Sequence, residues 1–141
     1  MLKNIFIPVI ITFFLIIIST IAHAGSFVEY GDNNESILYV NENSIHKFTD
    51  NNDEIVLFEA AIEMKPNGAI KSFGPNAKNY YMLKIQYAIS CTRYRYMTLQ
   101  VDIYNKNATI IRREGKSEGM DIKPGTYMDI CYTQLCRRET Y

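Results

Sequence analysis

The side chains best placed to do chemistry in this sequence are three cysteines, two histidines and eleven tyrosines. Cys91, Cys131 and Cys136 allow three single disulfides, each leaving one thiol over. On a helix, residues five apart stand roughly 140° around the axis. The Cβ vectors of Cys131 and Cys136 then diverge, which disfavours a bond between them. Cys91 is therefore expected to bond the terminal segment through Cys136 or Cys131. A bond to Cys136 would close a loop of roughly 45 residues, worth about 4 kcal/mol in the chain-entropy model. The remaining thiol at an apolar position is a small buried hydrophobe rather than a reactive group.

Hydrolytic and metal chemistry find little support. Ser44 and His46 stand two apart on a probable strand, and a shared face alone does not make a nucleophile and its base. Glu59 and Glu63 lie on one strand face, roughly 13 Å apart along the chain, too far for a retaining glycosidase pair. Gly115-x-x-x-Gly119 lacks the following Lys-Ser/Thr of a phosphate loop. No catalytic residues, no metal ligands and no cofactor are expected, and the chain reads as a non-enzyme.

The first residues set the compartment. Lys3 precedes a run from Ile5 to Ile21 without a charge, and Ala22-His23-Ala24 follows as an A-x-A site. That order predicts a secretory signal peptide over residues 1–24, cut after Ala24; an uncleaved span is the alternative. After the cut, His46 is the sole histidine, so a Ser-His-Asp triad or a His-based metal cluster is unavailable. Export makes oxidised cysteines the expected state. Fifteen basic residues balance fifteen acidic ones, so nothing draws the domain electrostatically to nucleic acid. No stable membrane span remains after cleavage.

Residues 25–36 are polar and rich in Asn and Asp, and predict a flexible lead-in; one domain over 37–141 follows. Short strands are expected over Ile37–Val40 and Ile45–Phe48, with a turn over Asn41–Ser44 and another over Thr49–Asp53. Val56, Phe58, Ala60 and Ile62 then alternate with Glu59 and Glu63. Lys65–Lys78 reads as a loop. From Tyr80 to Cys91 apolar and polar residues alternate over twelve positions, the pattern of a long half-buried strand. Arg93–Tyr104 repeats it, Asn105-Lys106-Asn107 turns, and Ala108–Arg112 returns. Tyr127–Cys136 changes period, with Thr126 and Asp129 at capping-box spacing and Tyr127, Ile130, Cys131 and Leu135 on one stripe. The fold class predicted is α+β: an antiparallel meander of about five to six strands, with a C-terminal helix packed on one face.

If the two long strands are neighbours, their non-core faces bring together Tyr80, Tyr94, Tyr96, Tyr104, Gln86 and Gln100. Such a face suits a protein partner or a second copy of the chain, since Tyr offers apolar area with a polar tip; cross-strand Tyr pairing that only stabilises the sheet is the alternative. Arg93 and Arg95 read as paired or solvated side chains.

The order of these features resembles the surface-adhesin protein E family of exported bacterial proteins. The matching pieces are Ile37-Leu38-Tyr39-Val40-Asn41-Glu42-Asn43-Ser44-Ile45, then Tyr87–Cys91 with Arg93-Tyr94-Arg95-Tyr96. Ile103-Tyr104, Ile122-Lys123-Pro124-Gly125-Thr126 and Cys136 complete them. The resemblance implies a compact antiparallel sheet with a C-terminal helix, favours Cys91–Cys136 as the bond, and implies a bacterial envelope setting. For the best-known member it implies adhesion to host matrix proteins. The chain departs from the family in lacking a lipoprotein cysteine, in carrying Met120 where Trp is common, and in Cys131. An adhesin-like binding domain, periplasmic or at the cell surface, is the function expected. A periplasmic accessory domain, or a haem carrier using Tyr or His46, is the alternative.

Overall fold

The computed structural model describes residues 26–137, so the predicted leader and its cut after Ala24 lie outside the described residues. The strands are β1 (Phe27–Asp32), β2 (Ser36–Asp50), β3 (Asp53–Met64), β4 (Met82–Ser90), β5 (Arg95–Tyr104), β6 (Ile110–Glu114) and β7 (Met120–Asp121). Between β3 and β4 lie a short helix, α1 (Gly68–Phe73), and a 3₁₀ turn; α2 (Tyr127–Cys136) ends the chain. Among the described residues they form one seven-stranded antiparallel sheet in the order β1-β2-β3-β4-β5-β6, with β7 also on β5.

The long alternations fold as their period dictates. Leu83, Ile85, Tyr87 and Ile89 of β4 are buried opposite Ile62, Ala60, Phe58 and Val56 of β3. Leu38 and Val40 of β2 extend that face to Ile62 and Ala60. Met128, Cys131 and Leu135 of α2 belong to the same buried cluster. The stripe is thus displaced from the expected one: Tyr127 and Ile130 are half-buried and reach Gly31 of β1, where an added Cβ would lie 3.0 Å from the Tyr127 ring.

Three expectations are corrected, and one short strand was not anticipated. Residues 27–32 are not a lead-in but strand β1, paired with β2 from Phe27↔Asn41 to Asp32↔Ile37. The two short strands expected over 37–48 are one strand, β2, whose register shifts between Asn41 and His46. Ser44 Oγ holds that bulge, donating to the Asn41 carbonyl at 2.6 Å and accepting from the Glu59 N–H at 2.8 Å. The loop over 65–78 contains α1, and the segment after Gly119 contains β7. Both are too short for periodicity to betray them.

The turns follow local chemistry. Asn51 and Asn52 both adopt positive φ, 49° and 64°, the left-handed pair that matches the twist of a two-residue hairpin and that Asn tolerates well. Thr126 caps α2 as its spacing predicts, its Oγ accepting from the Asp129 N–H at 3.4 Å. Asp129 in turn accepts from the Gly125 N–H at 3.0 Å and the Tyr94 hydroxyl at 2.7 Å. Those two donors, the backbone one first, hold its carboxyl below the usual range.

Candidate functional site

The six residues expected to share one face do not. The cause is a register shift in β5: Gln86 pairs with Gln100, but Tyr87 pairs with Thr98, leaving Leu99 as the extra residue. An extra residue in a period-two strand turns every side chain beyond it to the opposite face. Tyr96 therefore lies opposite Ile89 on the buried face, with its ring 6.2 Å from that of Tyr87. Gln86, Gln100 and Tyr104 remain on the outer face, where the Lys84 ammonium stands 5.9 Å from the Tyr104 ring. Gln100 donates to Asp102 at 3.1 Å, and Arg113 donates to the same carboxylate at 2.7 Å, which lowers its pKa.

Tyr94 is held by contacts with α2. Its φ of 55° is strained for an aromatic residue and persists only where the surroundings over-determine it. Here the hydroxyl donates to Asp129, and the ring meets Tyr132 edge-on at 4.6 Å. The bond to Asp129 pushes the Tyr94 phenol up. Tyr80 stands at the opposite end of the sheet, 5.9 Å from Phe73 between ring centroids.

Beside Tyr94, the chain is covalently closed. Cys91 and Cys136 form a disulfide with Cα atoms 5.5 Å apart, and the Tyr132 hydroxyl donates to the Cys91 carbonyl at 3.2 Å. Cys131 is free and fully buried, and burial pushes its thiol up to about 12. A thiol so disposed presents almost no thiolate at neutral pH and packs as a hydrophobe.

The residues considered for catalysis are occupied elsewhere. Ser44 is bonded into the bulge, and His46 is exposed on β2 with its ring 5.9 Å from Phe48. Arg93 pairs with Asp53 at 3.6 Å, and Arg95 pairs with Asp121 at 3.1 Å while donating to the Gly119 carbonyl at 2.8 Å. No group of three His, Cys, Asp or Glu among the described residues is arranged to hold a metal ion. No helix among them is long and apolar enough to cross a membrane.

A surface that sequence reasoning missed lies on the outer face near the 51–52 hairpin. Phe48, Ile55, Leu57, Ala88 and Met97 line a shallow groove there, with Arg93, Arg95 and Lys116 along its border. The side chains of the groove floor are half-buried, and Phe48 is 39% exposed. The register explains the grouping, since Leu57 pairs with Ala88, Ala88 with Met97, and Phe48 with Ile55. A signal for it was present: Ile55-Val56-Leu57-Phe58 is apolar on both parities, which a strand with one wet face does not need.

No family model matches the chain, and no curated protein matches it. Among solved structures, protein E of Haemophilus influenzae superposes with a TM-score of 0.50 at 18% identity, over 79% of this chain and 84% of that one. A selenomethionine form of the same protein gives 0.49 at 16% identity, over 77% and 91%. At such identities the likeness is one of fold. The chain has a protein E-like fold.

Proposed function

We propose that this chain is an exported, non-enzymatic, adhesin-like domain that binds a protein partner through the outer face of its sheet. In this reading α2 lies over the apolar face, stapled there by Cys91–Cys136, and leaves the outer face open. The observation that carries it is the groove of Phe48, Ile55, Leu57, Ala88 and Met97 on a face that an unpartnered antiparallel sheet would furnish with polar side chains. The protein E-like fold supports the adhesin class, and the leader expected over residues 1–24 supports export. Gln86 and Gln100 stand beside the groove on the same face and supply part of the polar rim that protein interfaces carry, with Tyr104 farther along that face toward the other end of the sheet.

The test is binding of the mature chain to immobilised host matrix proteins, with a denatured sample as control. Leu57→Asp and Phe48→Ser should each weaken binding about tenfold, the loss of a moderate hot-spot contact, while thermal unfolding stays cooperative. Equal binding by both variants, or none above the denatured control, overturns the reading. A wild-type dimer that Leu57→Asp dissociates would also overturn it, and would assign the groove to self-association in a periplasmic accessory domain.

A further inference from the structure

The end of the sheet remote from the disulfide carries a second surface, centred on Tyr80. The Tyr80 side chain borders three adjoining clefts. One is shared with Ile70, Lys78 and Lys106, one with Ile111 and the same two lysines, and one with Phe73 and Arg112. Phe73 is 52% exposed, Ile111 42% and Ile70 39%. Three large apolar side chains left in water around one tyrosine are an unusual concentration for a domain of this size.

The charged side chains lining the three clefts are mostly basic, Lys65, Lys78, Lys106 and Arg112 against Glu114, with Asp32, Glu35 and Glu63 standing outside that lining. Lys65 is tied to Asp32, Arg112 to Glu114 at 2.8 Å, and Glu35 to the Ser72 hydroxyl. Lys71, Lys78 and Lys106 have no acidic partner among the described residues, and the one carboxylate lining the three clefts is the paired Glu114. The chain as a whole is neutral, so the positive surplus is local rather than general.

We propose that this end of the molecule docks on an anionic lipid bilayer, with Phe73, Ile70 and Ile111 entering the headgroup layer and Lys71, Lys78 and Lys106 meeting lipid phosphates. Charge complementarity selects an anionic partner. The exposed apolar side chains select a bilayer over a soluble polyanion, because a sulfated or phosphorylated polymer gives Phe73 and Ile70 nothing to enter. Tyr80 adds an amphipathic ring of the kind enriched at membrane interfaces. Eight residues of extended chain separate Tyr80 from Ala88, roughly 27 Å, so a molecule docked by this end would leave the outer groove free.

Co-sedimentation of the full mature chain with vesicles tests this, using phosphatidylcholine alone and phosphatidylcholine mixed with phosphatidylglycerol. Binding is expected to the mixed vesicles only and should weaken with salt. Each lysine near the surface is worth about fivefold, so Lys78→Gln with Lys106→Gln should weaken binding roughly 30-fold. The remote pair Lys47→Gln with Lys123→Gln should leave it unchanged. Phe73→Ser should weaken vesicle binding several-fold without altering retention on dextran sulfate. The proposal is overturned by sedimentation that ignores phosphatidylglycerol, by equal losses in the two lysine pairs, or by binding to dextran sulfate alone. An unchanged Phe73→Ser would overturn it as well, by showing a polyanion site without insertion.

Discussion

Replacing both Cys91 and Cys136 by serine should lower unfolding stability by about 4 kcal/mol. The bond joins residues 45 apart in sequence, and releasing a loop of that length returns about that much chain entropy to the unfolded state. Small domains hold on the order of 5–15 kcal/mol in all, so the loss is a large share. The double variant is the informative one, because a single substitution leaves an unpaired thiol on the other element. Tyr132 still donates to the Cys91 carbonyl and Tyr94 to Asp129, so the variant should fold at low temperature and fail first at the α2 end. Urea unfolding of oxidised wild type beside the variant measures this. A difference under about 1 kcal/mol would mean that noncovalent contacts alone hold α2 in place.

Gly68→Ala should cost about 3 kcal/mol, the upper part of the usual range for overpacking. A Cβ on Gly68 would stand 1.9 Å from the Glu35 carbonyl oxygen, which belongs to backbone and cannot swing aside. That same carbonyl accepts from the Lys65 N–H at 2.9 Å, so it is fixed from both directions. Relief requires α1 to move away from the β1–β2 turn, carrying Ile70 and Phe73 out of their places beside Tyr80. Gly115→Ala is the control, since a Cβ there meets open space and should change stability by no more than about 0.5 kcal/mol. Equal unfolding midpoints for the two variants would refute the close approach of Gly68 to Glu35.

The sheet was legible where burial imposes a period. β3, β4 and the second half of β5 alternate because one face must be apolar, and their positions follow from that alone. The helix α2 was legible from its cap, Thr126 and Asp129, and the protein E resemblance indicated its bond to Cys91. The failures have physical causes as particular as the successes. β1 is an edge strand with Val28 and Glu29 exposed, so its sequence carries almost no alternation and reads as polar chain. The bulge around Ser44 puts hydrogen-bonding residues inside β2, and they imitate a turn. The Leu99 bulge leaves no mark in composition, yet it sends Tyr96 to the buried face and divides the expected Tyr surface.

That division changes where recognition is sought. Tyr94 meets the terminal helix and Tyr96 turns to the buried face, whereas the two glutamines stay outside beside an apolar groove and Tyr104 stays outside at the other end of β5. Protein E of Haemophilus influenzae shares the fold, and the proposed adhesin-like role rests on that fold together with the groove. The bilayer-docking end is independent of that role, lying at the other extremity of β4.

The central claim is that the chain is delivered to an oxidising compartment, where the last helix is covalently closed onto the sheet. Peptide mass mapping of protein from its native cell tests this most directly, with alkylation under denaturing conditions so that the buried Cys131 is reached. The account predicts an N-terminus at Gly25, a cross-linked Cys91–Cys136 peptide pair, and alkylation at Cys131 alone. An intact Met1 with all three cysteines alkylated would contradict it.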